Sequence, residues 1–122
     1  MIQAVTSYRF PYLSLHVLIG NRDNPDYEFD VEALVDTGFD GGLAVPPDLI
    51  PTTIAPVGHS VWNLADGSQI TASAYFCYVS IGHLPAVPTA VITLDGDALL
   101  GRHVTDRFRL TFDHGNQVLV EL

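Results

Sequence analysis

Cysteine occurs once in this 122-residue sequence, as Cys77. No intrachain disulfide can form, which suits a reducing compartment. Basic residues are scarce: five Lys+Arg stand against fourteen Asp+Glu, a formal charge of −9. Such a chain repels a phosphate backbone, which argues against nucleic-acid binding, and an anionic membrane surface is disfavoured for the same reason. Long apolar runs are missing too. The longest stretch near the start without charge or proline is Tyr12 to Asn21, far short of the roughly 20 apolar residues of a membrane span. The segment from Met1 to Pro11 has no basic start followed by an apolar run, so no secretory signal is visible and the expected compartment is the cytoplasm. No linker, low-complexity segment or charge run offers a place to cut the chain, and residues 1–122 read as a single domain.

What is present is enough for a core. Hydrophobic residues make up 48% of the chain, which excludes intrinsic disorder, and a domain of this size folds without disulfides or metal. Eight prolines and ten glycines punctuate β-branched and aromatic runs at short intervals. These runs predict strands near Val5–Arg9, Leu13–Ile19, Tyr27–Val35, Leu43–Val45, Val61–Leu64, Gln69–Ile81, Thr89–Thr93, Phe108–Phe112 and Val118–Glu121. Ser14 and His16 alternate with Leu13, Leu15 and Val17, the period of a half-buried strand. Helix signals are weak: one turn at Pro47–Ile50, where proline suits the first position, and a short helix within Gly101–Asp106. The expectation is an all-β fold, a small barrel or sandwich. Cys77 lies within the apolar run Ala74–Val79 and reads as a buried, inert thiol.

Several signals lead nowhere. The five histidines, His16, His59, His83, His103 and His114, lack the close spacing of a zinc pair, and no metal or other cofactor is expected. Ser60, Ser68, Ser73 and Ser80 lack the flanking glycines of a nucleophile elbow. Gly38, Gly41 and Gly42 are not followed by the Gly-Lys-Ser/Thr of a phosphate loop. The acidic loop Asn21–Glu28 carries a proline and lacks the glycine of a calcium-binding hand; it reads as a solvated hairpin loop.

The informative stretch is Ala33-Leu-Val-Asp-Thr-Gly-Phe-Asp-Gly-Gly-Leu-Ala-Val-Pro46. An apolar strand delivers one carboxylate, Asp36, into a turn, and Gly38 frees the backbone to bend sharply there. A carboxylate at the end of a core strand carries a desolvation cost and needs a reason. As a bare tripeptide, Asp36-Thr37-Gly38 is also a common turn. Its context is more specific: a strand resumes at Leu43–Pro46, Ala65-Asp66-Gly67-Ser68 forms a central turn between two strands, and Leu99-Leu100-Gly101-Arg102 precedes the short helix and a C-terminal β-pair. In this order and spacing the chain resembles the retropepsin-like aspartic proteases, the single-domain relatives of retroviral protease, and their bacterial members especially.

The resemblance implies a small closed acid-protease-type β-barrel with one short helix, the protomer of a two-fold homodimer. It implies Asp36 as the catalytic residue, with Thr37 and Gly38 supporting its loop. Two such aspartates share one proton; one activates a water and the other polarises the scissile carbonyl. The sequence has one Asp-Thr/Ser-Gly motif, and Asp66-Gly67-Ser68, Asp95-Gly96-Asp97 and Asp113-His114-Gly115 do not fit it, so a dyad needs two copies of the chain. Asp66 and Gly67 match the tip of a flap over the substrate. Phe39 and Asp40 fall beside the dyad, among the substrate-binding positions; Phe39 stands where the viral enzymes have a small residue. Asp40 and Arg102 match a structural ion pair. Trp62, on the first flap strand, either contacts substrate or packs within the hairpin. The terminal segment Val118–Leu122 pairs either across a dimer interface or as an internal strand. The implied partners are a second copy and a peptide or protein substrate, and the implied activity is an aspartic endopeptidase. The alternative is a catalytically inactive module that keeps the fold to bind peptides or serve a structural role.

Overall fold

The computed structural model describes residues 4–122; Met1, Ile2 and Gln3, part of the expected domain, lie outside the described residues. The first strand, β1 (Ala4–Ser7), leads into β2 (Tyr12–Gly20). Leu13, Leu15, Val17 and Ile19 of β2 are all buried, while Ser14 and His16 between them face solvent. This is the two-residue period of a strand with one wet face. It continues into β3 (Pro25–Val35), paired antiparallel with β2 from Tyr12 opposite Leu34 to Gly20 opposite Pro25. The connection is an Asx turn in which the Asn21 side chain accepts from the Asp23 N–H at 2.9 Å.

The remaining elements are β4 (Leu43–Val45), a 3-10 turn at Pro47–Leu49, β5 (Gly58–Asn63), β6 (Gln69–Ile81), β7 (Val87–Thr93), β8 (Leu99–Leu100), α1 (Arg102–Thr105), β9 (Arg109–Asp113) and β10 (Gln117–Glu121). The fold is all-β with one short helix, as expected from the sequence. A seven-stranded sheet runs β2-β3-β8-β4-β7-β6-β5, and β2 pairs a second time with β6. The hydrogen-bonded pairings therefore return to the strand from which they began, and among the described residues β5 is left as the free edge. Parallel pairs join β3 to β8 and β4 to β7.

A separate three-stranded sheet runs β1-β10-β9. Of the two places open to the C-terminal segment, the structure selects the internal one: β10 lies between β1 and β9 of its own chain. Val118 and Val120 of this strand enter the main apolar cluster with Leu13, Val17, Val79 and Leu100. Burial of a core this size is the principal stabilising term. Among the described residues no helix is long and apolar enough to cross a membrane.

Two differences from the expected elements have simple causes. Strand β8 is only two residues long, too short to show an alternation. Strand β7 begins at Val87, before Pro88 rather than after it. Pro88 pairs with Tyr78 on one side, while β4 covers β7 only over Val91–Thr93 on the other. Pro88 therefore sits where β7 is still an edge, where a strand tolerates a missing donor.

Candidate active site

Strand β3 ends by inserting its last residues beside β8. Leu34 N–H donates to the Ala98 carbonyl at 2.9 Å, Val35 N–H to the Pro11 carbonyl at 3.0 Å, and Asp36 N–H to the Leu100 carbonyl at 3.0 Å. The backbone of Asp36 is thus fixed from two directions before the chain turns. Gly38 N–H then donates to the Asp36 Oδ1 at 2.9 Å, and Phe39 N–H closes the turn on the Asp36 carbonyl at 3.2 Å. Asp36 is half-buried, and Thr37 and Gly38 are exposed.

Beyond the turn, Phe39–Gly42 is clamped against the start of α1. Gly101 N–H donates to the Gly42 carbonyl at 2.8 Å, Arg102 N–H to the Phe39 carbonyl at 2.8 Å, and His103 N–H to the Gly41 carbonyl at 3.1 Å. The approach leaves no room for side chains. A Cβ at Gly101 would lie 2.1 Å from the Gly41 carbonyl oxygen, and one at Gly42 would lie 2.1 Å from Thr89 Oγ1. Glycine is required at Gly101 by the approach of the Gly41 backbone, and at Gly42 by Thr89 and the Ala90 carbonyl of β7.

The β5–β6 hairpin lies across this loop. Trp62 of β5 meets Phe39 edge-on, with ring centroids 5.2 Å apart and planes at 61°. Two cavities open on either side of this contact. The larger, about 480 Å³, contains Asp36 and is walled by Phe39, Trp62, Leu64 and Leu99. The smaller, about 230 Å³, is lined by Asp40, Trp62, Thr89 and His103 among others. A carboxylate thus stands in a largely apolar groove under a two-stranded cover, a concave site with few polar groups of the kind that takes a ligand.

No protein-family model and no curated protein matches the sequence. Among solved structures, the chain is similar to a retropepsin-like aspartic protease from Rickettsia conorii. The superposition has a TM-score of 0.64 at 16% identity and covers 99% of this chain and 92% of that one. The fold is retropepsin-like.

Within the retropepsin-like fold the residues singled out from the sequence take these places. Asp36, Gly38 and Phe39 share the larger cavity, and Phe39 and Asp40 line the smaller. Asp66 and Gly67 form the hairpin turn itself and do not line the larger cavity, which reaches Leu64 and Ala65. Gly67 has a φ of +87°, a backbone that few side chains accept. Asp66 Oδ1 accepts from Ser68 Oγ at 2.6 Å and Ser68 N–H at 2.9 Å. These bonds, the hydroxyl's first, hold the Asp66 carboxyl below its ordinary range, so the tip of the hairpin carries a negative charge.

The expected Asp40–Arg102 ion pair is not formed among the described residues. Arg102 opens α1, and its Nε lies 3.7 Å from Asp106 Oδ2, one helical turn on. Its backbone N–H, rather than its guanidinium, braces the loop through the Phe39 carbonyl. Asp40 stands exposed at the rim of the smaller cavity.

Three features of the site escape the sequence reading. Gly41 and Gly42, set aside there as a failed phosphate loop, make the clamp possible. Thr89, 94% buried, shares a 2.7 Å hydrogen bond with His103 Nδ1 and lines the smaller cavity. The Trp62 indole N–H is buried with no acceptor among the described residues. Only the glycine spacing was visible in the sequence; the other two depend on contacts between distant segments. Cys77 is fully buried, and burial pushes its thiol up to about 12, so it is no nucleophile.

Proposed function

We propose that the protein is an aspartic endopeptidase that works as a two-fold homodimer, with Asp36 contributed by each copy. The observation that carries this reading is the placement of Asp36: a turn-held carboxylate at the end of a core strand, in a groove covered by the β5–β6 hairpin. One copy supplies one such carboxylate, so the dyad forms on the two-fold axis of an isologous contact. Two carboxylates that close cannot both ionise. The ionised one takes a proton from water as it attacks the carbonyl, and the protonated one donates to the carbonyl oxygen. Thr37, exposed beside Asp36, hydrogen-bonds across the axis. The hairpin acts as a flap that excludes water. The peptide lies extended between flap and floor, its backbone giving affinity and the cavities reading its side chains. The lone buried thiol suits the reducing cytoplasm as the place of action.

The test is cleavage of a mixed peptide library between about pH 4 and pH 7 by wild type and Asp36→Asn. The substitution keeps the shape and removes the titratable group. Wild type is expected to cleave, and the variant to lose about 100- to 10,000-fold in rate. Sedimentation of the active preparation is expected to give a dimer. Equal cleavage by both proteins refutes the assignment. Absence of cleavage by either, with peptide binding retained, points to the inactive binding module instead.

A further inference from the structure

A third cavity, about 280 Å³, adjoins the one that holds Asp36. The two share Leu64, Leu94 and Leu99 as walls. Ile70 completes the apolar lining of the third cavity, and among the described residues Asp95 and Asp97 supply its charges. Both carboxylates reach it because the chain reverses between them at Gly96, whose φ is +106°. Neither is neutralised within the protein: Asp97 Oδ2 accepts one weak hydrogen bond, from the Tyr12 hydroxyl at 3.3 Å, and Asp95 takes part in no side-chain hydrogen bond or ion pair among the described residues. None of the chain's arginines lines either cavity.

We propose that this cavity selects peptides carrying an arginine or lysine side chain next to the bond held over Asp36, with Asp97 as the residue that determines the selection. The proposal rests on the peptidase reading of the same groove. An apolar channel that ends in carboxylates is complementary to a side chain with an aliphatic stem and a cationic head. The stem lies along Leu64, Leu94 and Leu99, and the head meets Asp97, with Asp95 beside it. A guanidinium gives Asp97 the strong, charge-assisted partner that the Tyr12 hydroxyl is not. An acidic side chain is rejected, because it would enter a groove that already holds Asp36, Asp95 and Asp97 on a chain of net charge −9. The shared walls put this cavity beside the groove in which a peptide backbone would lie over Asp36, within reach of a neighbouring side chain.

The experiment uses peptides taken from wild-type cleavage products or, where wild type cleaves nothing, library peptides that bind Asp36→Asn, with arginine placed at each position in turn. Each is matched with its citrulline twin, which has the same shape without the charge, and with a glutamate version. Two readouts are taken. The first is kcat/KM for wild type, Asp97→Asn and Asp97→Glu. The second is peptide affinity for Asp36→Asn and for the Asp36→Asn, Asp97→Asn double variant, followed by the fluorescence of Trp62, the chain's one tryptophan, which walls the Asp36 cavity. At one position wild type is expected to favour arginine over citrulline by about 10- to 100-fold. In Asp97→Asn that ratio should fall close to one, and Asp97→Glu should restore part of it. Because Asp97 is exposed, the substitutions leave the core untouched. If Asp36-dependent cleavage occurs with equal preference for arginine and citrulline at every position, the selection is refuted while the peptidase stands. If no peptide is cleaved but arginine peptides bind Asp36→Asn preferentially and need Asp97, the selection stands and the peptidase reading fails. An arginine preference that survives Asp97→Asn assigns the selection elsewhere and overturns the role of Asp97.

Discussion

Gly101→Ala tests the clamp on the Asp36 loop without touching a charge. Gly101 has φ −98° and ψ 177°, extended backbone that alanine adopts freely, so no conformational penalty arises. The cost is steric. The new Cβ would meet the Gly41 carbonyl oxygen at 2.1 Å and the Phe39 ring at 2.7 Å. The first of these atoms is backbone and cannot swing aside, so the Phe39–Gly42 loop must move off α1. Overpacking of this kind costs about 1–3 kcal/mol. The move also strains three backbone hydrogen bonds, those to the carbonyls of Phe39, Gly41 and Gly42, each worth about 1 kcal/mol. Partial loss of these bonds brings the expected destabilisation to about 3 kcal/mol, a large share of the roughly 5–15 kcal/mol that holds a domain together. For a chain of this length that lowers Tm by about 12 °C. Urea unfolding followed by far-ultraviolet circular dichroism and by Trp62 fluorescence measures it directly, with Gly58→Ala as control. At Gly58 an added Cβ meets nothing within 4 Å, and the change should stay within about 0.5 kcal/mol of wild type. Equal stability of Gly101→Ala and wild type, or equal damage from both substitutions, would refute the clamp as described.

Two other measurements probe parts of the fold remote from the groove. On the outer face of β2 and β3, His16 Nδ1 lies 2.6 Å from Asp30 Oδ1 and Nε2 lies 3.3 Å from Glu28 Oε2; the Asp30 hydrogen bond, aided by Glu28, raises the imidazole above its ordinary value of 6.5. A raised folded value means stability that is complete below the unfolded value and is lost as pH climbs through the folded one, so Asp30→Asn should be less stable than wild type below about pH 6.5 and converge with it at alkaline pH. Imidazole titration by NMR should show His16 moving back toward 6.5 in that variant, and an unchanged titration would discard the pairing. Cys77, with its thiol pushed up to about 12 by burial, should resist a disulfide reagent at pH 8 in the native protein and react fully in denaturant; rapid native labelling would show that the β6 core opens.

Local patterns explain why much of this architecture is legible in the sequence. The alternation of Leu13, Leu15 and Val17 with Ser14 and His16 sets the inward face of β2, and the Asp36-Thr37-Gly38 turn stands out because a core run ends on a carboxylate. The Asp66-Gly67 turn is equally local, since its hydrogen bonds close within Leu64–Ser68. What escapes is what depends on distant segments. Strand β8 has two residues and exists because β3 and β4 flank it. The need for glycine at positions 42 and 101 arises where segments far apart in sequence meet, Gly42 against Thr89 and Ala90 of β7 and Gly101 against the Phe39–Gly42 loop. Arg102 is drawn to Asp106 by the helix it begins, a local choice that overrides the long-range pairing with Asp40 implied by resemblance. The Thr89–His103 contact likewise joins a strand to a helix that sequence spacing alone does not bring together.

The clamp on the Asp36 loop also has a consequence in time. The backbone bonds that hold the Asp36 N–H and the Phe39–Gly42 carbonyls from outside the turn come from the segment Leu100–His103. A ribosome makes the chain from its N-terminus at about 5–20 residues per second, so Asp36 emerges well before the residues that hold it. Until His103 is available the turn has β2 beside its strand but neither its β8 partner nor its brace. The carboxylate therefore acquires its position only when most of the protein has been made, and a growing chain carries the motif without the site.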